Sequence, residues 1–578
     1  AQVRSRSEEQ TSSLGRGRIA AMPRVGLGAL FVAAIARGAG AHSNSSAAAG
    51  KPHIVLVLVD DWGWDNAGYH RPNDPEVVTP NVDQLVKQGI ELDRHYAYHY
   101  CSPSRSTLQS GRLSVHVAYG FDDPLLRSGT DPDSGFSGIP RNMTGLAEKM
   151  RAGGYRAHMT GKWDAGMASW DHTPMGRGYE TFFGYYHHAE DYYTQRLSSS
   201  DVAPDICGNL VDLWNTTGPA RTRNGTAYVE EMFTENTMGI LDRHNPAEPL
   251  FLFHAFHLIH TPFQVPEVWE KPFMFIKNTQ RRKYAAMLNY MDAVMGKIVA
   301  KLKEKGMWDN TLMVVSSDNG GPTYNLPVIG PGGASNAPLR GGKMSDWEGG
   351  VRVNAFVSGG AVPVAKRGTK LADFIHMADW YATFSRIAGV DPTDARAAAA
   401  GLPPVDGIDQ SGLLLGEAAP GTGQRTEIHL SARALVSGKW KLITGGMTTI
   451  EMRLAPSLLL GDRWIPFSDY LPGYDIPEQI VRNLTNCHNG CLYDIFSDPY
   501  ETTEVSSAQP DVLAQMTARL AELNQRVFLP DRGVADPAGC TRWNGFYGPW
   551  IDVPQGPPLV QPPAQPSAHP FAERAFVI

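Results

Sequence analysis

The 578-residue chain has no apolar run approaching the roughly 20 residues that a membrane-spanning helix needs, so no membrane span is expected. Neither sign of charge dominates: 52 Lys and Arg stand against 59 Asp and Glu, a net charge of −7. Without a basic excess, nucleic-acid binding is not expected as the main activity. Charged residues make up only 19% against 42% hydrophobic, which excludes wholesale disorder and provides for a substantial core. No internal repeat is visible. Cysteine is scarce. The five are Cys101, Cys207, Cys487, Cys491 and Cys540. Four cysteines can pair in three ways, between which sequence does not choose, and an odd thiol is left over.

What is present begins with a processing signal. Residues 1–21 are polar and Arg/Ser-rich and read as an upstream extension outside the fold. Met22 then opens a signal-peptide pattern over 22–41: Pro23-Arg24, an apolar run from Val25 to Ala36, and small residues from Gly38 to Ala41. Five N-x-[S/T] sequons, at Asn44, Asn142, Asn215, Asn224 and Asn483, agree with a glycoprotein of the secretory pathway, extracellular or lysosomal/vacuolar. On that oxidising route cysteines are expected to pair.

The body alternates apolar runs with helical patterns, which predicts an α/β fold: a large domain over 51–410 with a mostly parallel central sheet flanked by helices. Strands are expected at His53–Val59, Arg156–Thr160, Leu250–Phe256 and Thr311–Ser317. Apolar residues at 284, 287, 288, 291, 294, 295, 298, 299 and 302 form one helical stripe, closed by Gly306. A smaller α+β subdomain is expected over 427–550, with a helix around Asp511–Val527. Residues 553–578 are a Pro-rich tail.

Polar residues gather where the predicted strands end: Asp60-Asp61, Gly161-Lys162, His257 with His260, and Asp318-Asn319. In open α/β sheets ligands bind at that edge. The odd cysteine lies in Cys101-Ser102-Pro103-Ser104-Arg105, continuing to Ser110-Gly111-Arg112. This pattern resembles the signature of the formylglycine-dependent sulfatases. Gly154-Tyr155 through Lys162-Trp163 resembles their second signature, and Asp60-Asp61, His260-Thr261-Pro262, Asp318-Asn319 and Gly342-Lys343 follow in the family's order. The stretch Pro338–Arg352 and the run from His260 to Pro266 look most like the arylsulfatase B, I and J branch.

The resemblance implies an alkaline-phosphatase-like fold and a specific chemistry. Cys101 would be oxidised to formylglycine by a formylglycine-generating enzyme, which would account for the odd thiol. The hydrated aldehyde carries two hydroxyls, one to attack sulfur and one to expel sulfate. Asp60, Asp61, Asp318 and Asn319, with residue 101, would hold one metal ion, and an all-oxygen set favours Ca²⁺. Arg105 would hold the hydrate, Lys162 and Lys343 would bind sulfate oxygens, and His260 would protonate the leaving alcohol. The substrate would be a sulfated carbohydrate or an aryl sulfate.

Two departures stand out: Ala157 replaces a usual Thr, and Asp164 replaces the His that follows Lys-Trp. That His is thought to take a proton from the second hydroxyl. Three outcomes are open: Asp164 is the base, another residue is, or turnover is impaired. Two other functions compete with a sulfatase. One is a phosphonate or phosphate ester hydrolase of the same superfamily; the other is a secreted glycan-binding protein that has lost turnover. His187, His188, His254 and His257 read as core or rim histidines, and Trp170, Tyr185, Tyr186, Tyr192 and Tyr193 as sugar-stacking or packing aromatics.

Overall fold

Seven consecutive residues of β1 (His53–Val59, HIVLVLV) are buried on both faces, as a continuous β-branched and apolar run requires of a central strand. A computed structural model describes residues 50–118, 123–197, 206–323, 332–445 and 487–553. The upstream extension, the leader, Asn44, Asn483 and the tail from 554 lie outside these residues. The other strands, in chain order, are β2 (Ile90–Tyr96), β3 (Leu126–Arg127), β4 (Arg156–Lys162), β5 (Thr181–Tyr185), β6 (Trp214–Asn215) and β7 (Gly218–Pro219). They continue as β8 (Leu250–Ala255), β9 (Thr311–Ser317), β10 (Ala355–Ser358), β11 (Thr369–His376) and β12 (Glu427–Ser431). The last four are β13 (Ala434–Ser437), β14 (Trp440–Gly445), β15 (Cys487–Asp494) and β16 (Val534–Ala535).

Ten strands form the large sheet in the order β11-β2-β10-β9-β1-β8-β4-β5-β6-β7. Its centre is parallel, and β10 runs antiparallel between β2 and β9. Register sets the function of this core. Val59 pairs with Ser317, Leu58 with Ala255, and Gly161 with Ala255, so four strands end at one level and deliver their following residues to one edge. Gly161 is required there: its φ is +100°, and a Cβ would lie 1.7 Å from the Ala255 carbonyl oxygen.

The expected long helix runs from Thr279 to Glu304 and buries the 284–302 stripe except for Val299, which is only partly covered. Asn278 caps it by accepting from the backbone N–H groups of Gln280 and Arg281. The Tyr284 hydroxyl on this stripe donates to the Asp61 carbonyl at 2.9 Å, which ties the helix to the strand end. Among the described residues no helix is long and apolar enough to cross a membrane.

β12 to β15 form a four-stranded antiparallel sheet whose two faces differ as strand alternation demands. Leu435, Leu442 and Leu492 meet Met516, Leu520 and Leu523 of the helix Pro510–Asn524. Ile428, Val436 and Tyr493, on the other face, pack on Tyr96, Trp347, Val351 and Phe374 of the large domain. A buried ion network crosses this seam: Lys441 Nζ lies 3.0 Å from Glu348 and 2.9 Å from Glu501. After the Pro510–Asn524 helix the chain returns to the large domain, where β16 pairs with β3. Tyr547 and Trp550 are buried in that domain's core. The disulfides are Cys207–Cys540 and Cys487–Cys491, leaving Cys101 as a buried free cysteine.

Candidate active site

Cys101 opens the helix Cys101–Ser110, which is almost wholly buried and ends at Gly111 in a left-handed turn. The first-turn backbone N–H groups of such a helix have no intrahelical acceptor, so this end favours an anion. Cys101 Sγ lies 3.5 Å from Asp60 Oδ1 and 3.3 Å from Lys343 Nζ. Ligand atoms of Asp60, Asp61, Cys101 and His260 all fall within 4.8 Å of one another.

Opposite charges interleave around this point. Arg105 grips Asp318 Oδ2 through Nε at 3.0 Å and Nη2 at 2.8 Å, and also donates to the Lys162 carbonyl. Lys162 Nζ lies 2.6 Å from Asp60, and Lys343 Nζ 2.7 Å from Asp61. Asp164 adds a fourth carboxylate, with its Oδ2 3.6 Å from Lys162 Nζ, so four carboxylates face three cations. Asp61 is held in its left-handed conformation (φ +60°) by the strand end and Tyr284. Lys343 rides on a loop anchored through its neighbours: Met344 N–H donates to the His99 carbonyl, and Asp346 receives His99 and Ser431.

These contacts set the protonation landscape. Burial and the charge of Asp60 push the Cys101 thiol well above its usual range. Burial, then Asp60, push Asp318 up to about 6 against the pull of Arg105 and the lysines. Burial opposes the charge on Lys162, but Asp60 outweighs it; Asp61 does the same for Lys343. His260 is driven well below its usual value by burial and then by Lys343 and Lys162. Its Nδ1 contacts the Thr261 carbonyl at 2.7 Å, and Nε2 faces Asp61 at 3.7 Å. A histidine protonated toward that carbonyl carries its lone pair on the site-facing nitrogen.

The donor set fits a hard divalent cation. Asp60, Asp61 and Asp318 are fully buried like charges, and clustered carboxylates are relieved by a cation. Asn319 Oδ1 is buried with no hydrogen-bond partner among the described residues, a carbonyl oxygen left for such an ion. Every residue expected at the site, Asp60, Asp61, Cys101, Arg105, Lys162, Asp164, His260, Asp318, Asn319 and Lys343, is buried near this strand edge.

His188, which the sequence reads as a core or rim histidine, is buried, and its Nδ1 lies 2.8 Å from Asp164 Oδ1, a pairing with no local sequence signal. Of the five aromatics that the sequence allows either to stack or to pack, Trp170 is half-buried. Tyr185, Tyr186 and Tyr192 are buried and pack, whereas Tyr193 is exposed.

Glu230 sits behind the site, accepting the His257 and Leu258 N–H groups at 2.7 and 3.0 Å. Burial pushes its carboxyl from 4.5 up to about 8 despite those bonds. Between these values the folded state keeps a proton that the unfolded chain has lost, so stability falls as pH rises through that window. Glu230→Gln preserves the shape and removes the titration. Its melting temperature is therefore expected to drop less than that of the wild type between about pH 5 and about pH 9. Equal drops would show that this carboxyl contributes nothing to the slope.

Residues 52–390 match the Sulfatase family. Among characterised proteins, the chain is 31% identical over 528 residues to arylsulfatase J of Mus musculus, covering 87% of this chain and 81% of that protein. It is 27% identical to N-acetylgalactosamine-6-sulfatase of Canis lupus familiaris, covering 87% and 93%. Its fold resembles that of Ps i-CgsB bound to k-i-k-neocarrahexaose, with a TM-score of 0.63 and 22% identity over 84% of this chain and 95% of that one. With the motif cysteine, the lysines, Asp60-Asp61 and Asp318-Asn319 converging on one sheet edge, the chain belongs to the formylglycine-dependent sulfatase family and is a sulfuric ester hydrolase.

Proposed function

We propose that the protein hydrolyses sulfate esters of sulfated carbohydrates, using a formylglycine made from Cys101 and one Ca²⁺ held by Asp60, Asp61, Asp318 and Asn319. The observation that carries this reading is the position of Cys101, at a helix N-terminus and in contact with both an acidic ligand and a sulfate-binding candidate, Lys343. Formylglycine supplies an oxygen nucleophile as its hydrate. The calcium that Asp60, Asp61, Asp318 and Asn319 would hold would supply Lewis acidity.

The rest is done by the chain. Arg105 fixes Asp318 and offsets its charge. Lys162 and Lys343 stand on either side of the acidic pair and bind the non-bridging sulfate oxygens, stabilising charge as the sulfuryl group transfers. Asp60, Asp61, Asp318 and Asp164 face Arg105, Lys162 and Lys343, so a bound divalent cation would tip the pocket to net positive and favour an anionic ester. His260 is depressed first by burial and then by Lys343 and Lys162; the ester offsets the lysines' share, which favours a proton on Nε2 for the leaving alcohol.

The carbohydrate reading rests on the named sugar sulfatases among the relatives. Passage through the secretory pathway, where a formylglycine-generating enzyme would act, is supported by the two disulfides. Of the described sequons, Asn215 is exposed and Asn142 and Asn224 are partly so, as acceptor sites must be.

The test is mass spectrometry of the residue-101 peptide, from a host that makes the modification, paired with turnover of an aryl sulfate and an aryl phosphate. A formylglycine mass and preference for the sulfate are expected. An unmodified thiol with no turnover would favour a binding protein, and preference for the phosphate a phosphoesterase.

A further inference from the structure

We propose that His188, oriented by Asp164, is the proton-accepting residue of this site. The inference rests on the sulfatase reading above and goes beyond it, because family resemblance points to position 164 alone.

Asp164 follows β4 and His188 follows β5, and these strands run in parallel register with Lys162 opposite Tyr185. Both residues therefore leave the sheet side by side at its functional edge. Each is fixed from behind. Trp163 donates its indole N–H to the carbonyls of Gly166 and His172, pinning the turn in which Asp164 adopts φ +49°. The buried Asp212 carboxylate accepts the backbone N–H groups of Tyr186 and His187 and contacts the His187 ring, pinning the segment that carries His188. Asp164 Oδ1 and His188 Nδ1 meet at 2.8 Å, with side chains 2% and 8% exposed.

Asp164 stands in the working part of the molecule. Its Oδ2 lies 3.6 Å from Lys162 Nζ, which in turn contacts Asp60. It also lines a cleft with Ser102, the residue after Cys101, and Tyr186. Burial raises its carboxyl, but His188, Lys162 and Arg105 outweigh burial and bring it down to about 2. Such a carboxylate is ionised and only accepts hydrogen bonds, so the shared proton belongs to His188 Nδ1. The basic lone pair of that imidazole is then on Nε2.

The step is a proton transfer. The hydroxyl carried by the converted residue 101 gives its proton to Nε2, and its O–H electron pair remains on oxygen. The ring becomes an imidazolium whose charge Asp164 offsets, and the proton then passes to water. The geometry thus supplies an imidazole by way of a carboxylate, where the family's usual pattern places the imidazole directly.

The test is a double-mutant cycle on the converted enzyme, with conversion checked by mass. His188→Gln is expected to lower kcat by roughly 10²–10⁴-fold with KM nearly unchanged. Asp164→Asn is expected to act similarly, and the double variant to lose no more than the worse single one, as residues acting as a unit do. Added imidazole is expected to restore part of the activity of His188→Ala. Independently of turnover, the protein with Cys101 unconverted is expected to show a low-field Nδ1 proton resonance that both His188→Gln and Asp164→Asn abolish.

Wild-type kcat in His188→Gln, losses that multiply in the double variant, or absence of the resonance would each overturn the proposal. An inert Asp164→Asn beside an active His188→Gln would make Asp164 the base. A converted wild type that hydrolyses no sulfate ester would instead overturn the sulfatase reading, and this proposal with it.

Discussion

Cys101→Ala is expected to lower aryl sulfate turnover by roughly 10⁴–10⁶-fold, the scale seen when a covalent nucleophile is removed. The melting temperature should change little. The side chain lost is small, and its contacts are to Asp60 and Lys343, which remain paired with Lys162 and Asp61. Steady-state kinetics with a chromogenic sulfate, beside a thermal melt, separates the two effects. Retention of more than a few per cent of wild-type turnover would remove residue 101 from the reaction. Loss of activity with loss of folding would show instead that the thiol is a packing element.

The proposed calcium ion carries the second large expected effect. Added calcium should raise the melting temperature of protein whose Cys101 is unconverted, since a ligand at 100 times its dissociation constant stabilises by about 2.7 kcal/mol. A chelator should reverse that shift and abolish turnover of the converted enzyme. Asp61→Asn should weaken calcium binding by more than the roughly 10–100-fold that outer-sphere partners are worth, because it takes away a carboxylate proposed as a direct ligand. It also leaves Lys343 without its 2.7 Å partner, so the variant should melt lower in the absence of calcium. Titration calorimetry and elemental analysis check the affinity and the identity of the ion. Equal calcium affinity in Asp61→Asn and the wild type would place the ion elsewhere, and a preference for zinc would contradict the all-oxygen reading.

The parts of this molecule legible in the sequence are those where one local rule suffices. β1 and β9 were readable to the residue because each is a buried, largely apolar run stopped by a polar pair, Asp60-Asp61 and Asp318-Asn319. The long helix announced itself by its stripe, although its cap at Asn278 lies beyond the stripe. β4 was expected to stop at Thr160 but continues through Lys162, since Gly161 stays in register with Ala255 despite its positive φ. β2, β10 and β11 escaped notice because they are mixed in polarity or short, and only the sheet's pairing order gives them a place.

At the site, the charged residues inside recognisable motifs were legible and their pairings were not. Nothing local links Asp60 to Lys162 or Asp318 to Arg105. His188 shows what was hidden and what could have been seen. A carboxylate at a position where an imidazole is usual invites a search for a displaced histidine. The His187-His188 pair follows the strand beside β4, but only the register of β5 shows that these residues and Asp164 emerge together. Disulfide connectivity was similarly invisible: Cys207 and Cys540 are 333 residues apart and meet only because the chain's end returns to the large domain.

The ion network at Lys441 gives the small sheet a stake in chemistry that it never touches. Glu348 belongs to the segment that begins five residues earlier with Lys343, and its backbone N–H donates to Glu501 while its carboxylate receives Lys441 and Tyr96. Cut that tether, and Lys343, the proposed sulfate-binding lysine, loses its footing although no residue of the cleft has changed. Inherited or engineered lesions in the C-terminal sheet should therefore masquerade as active-site defects.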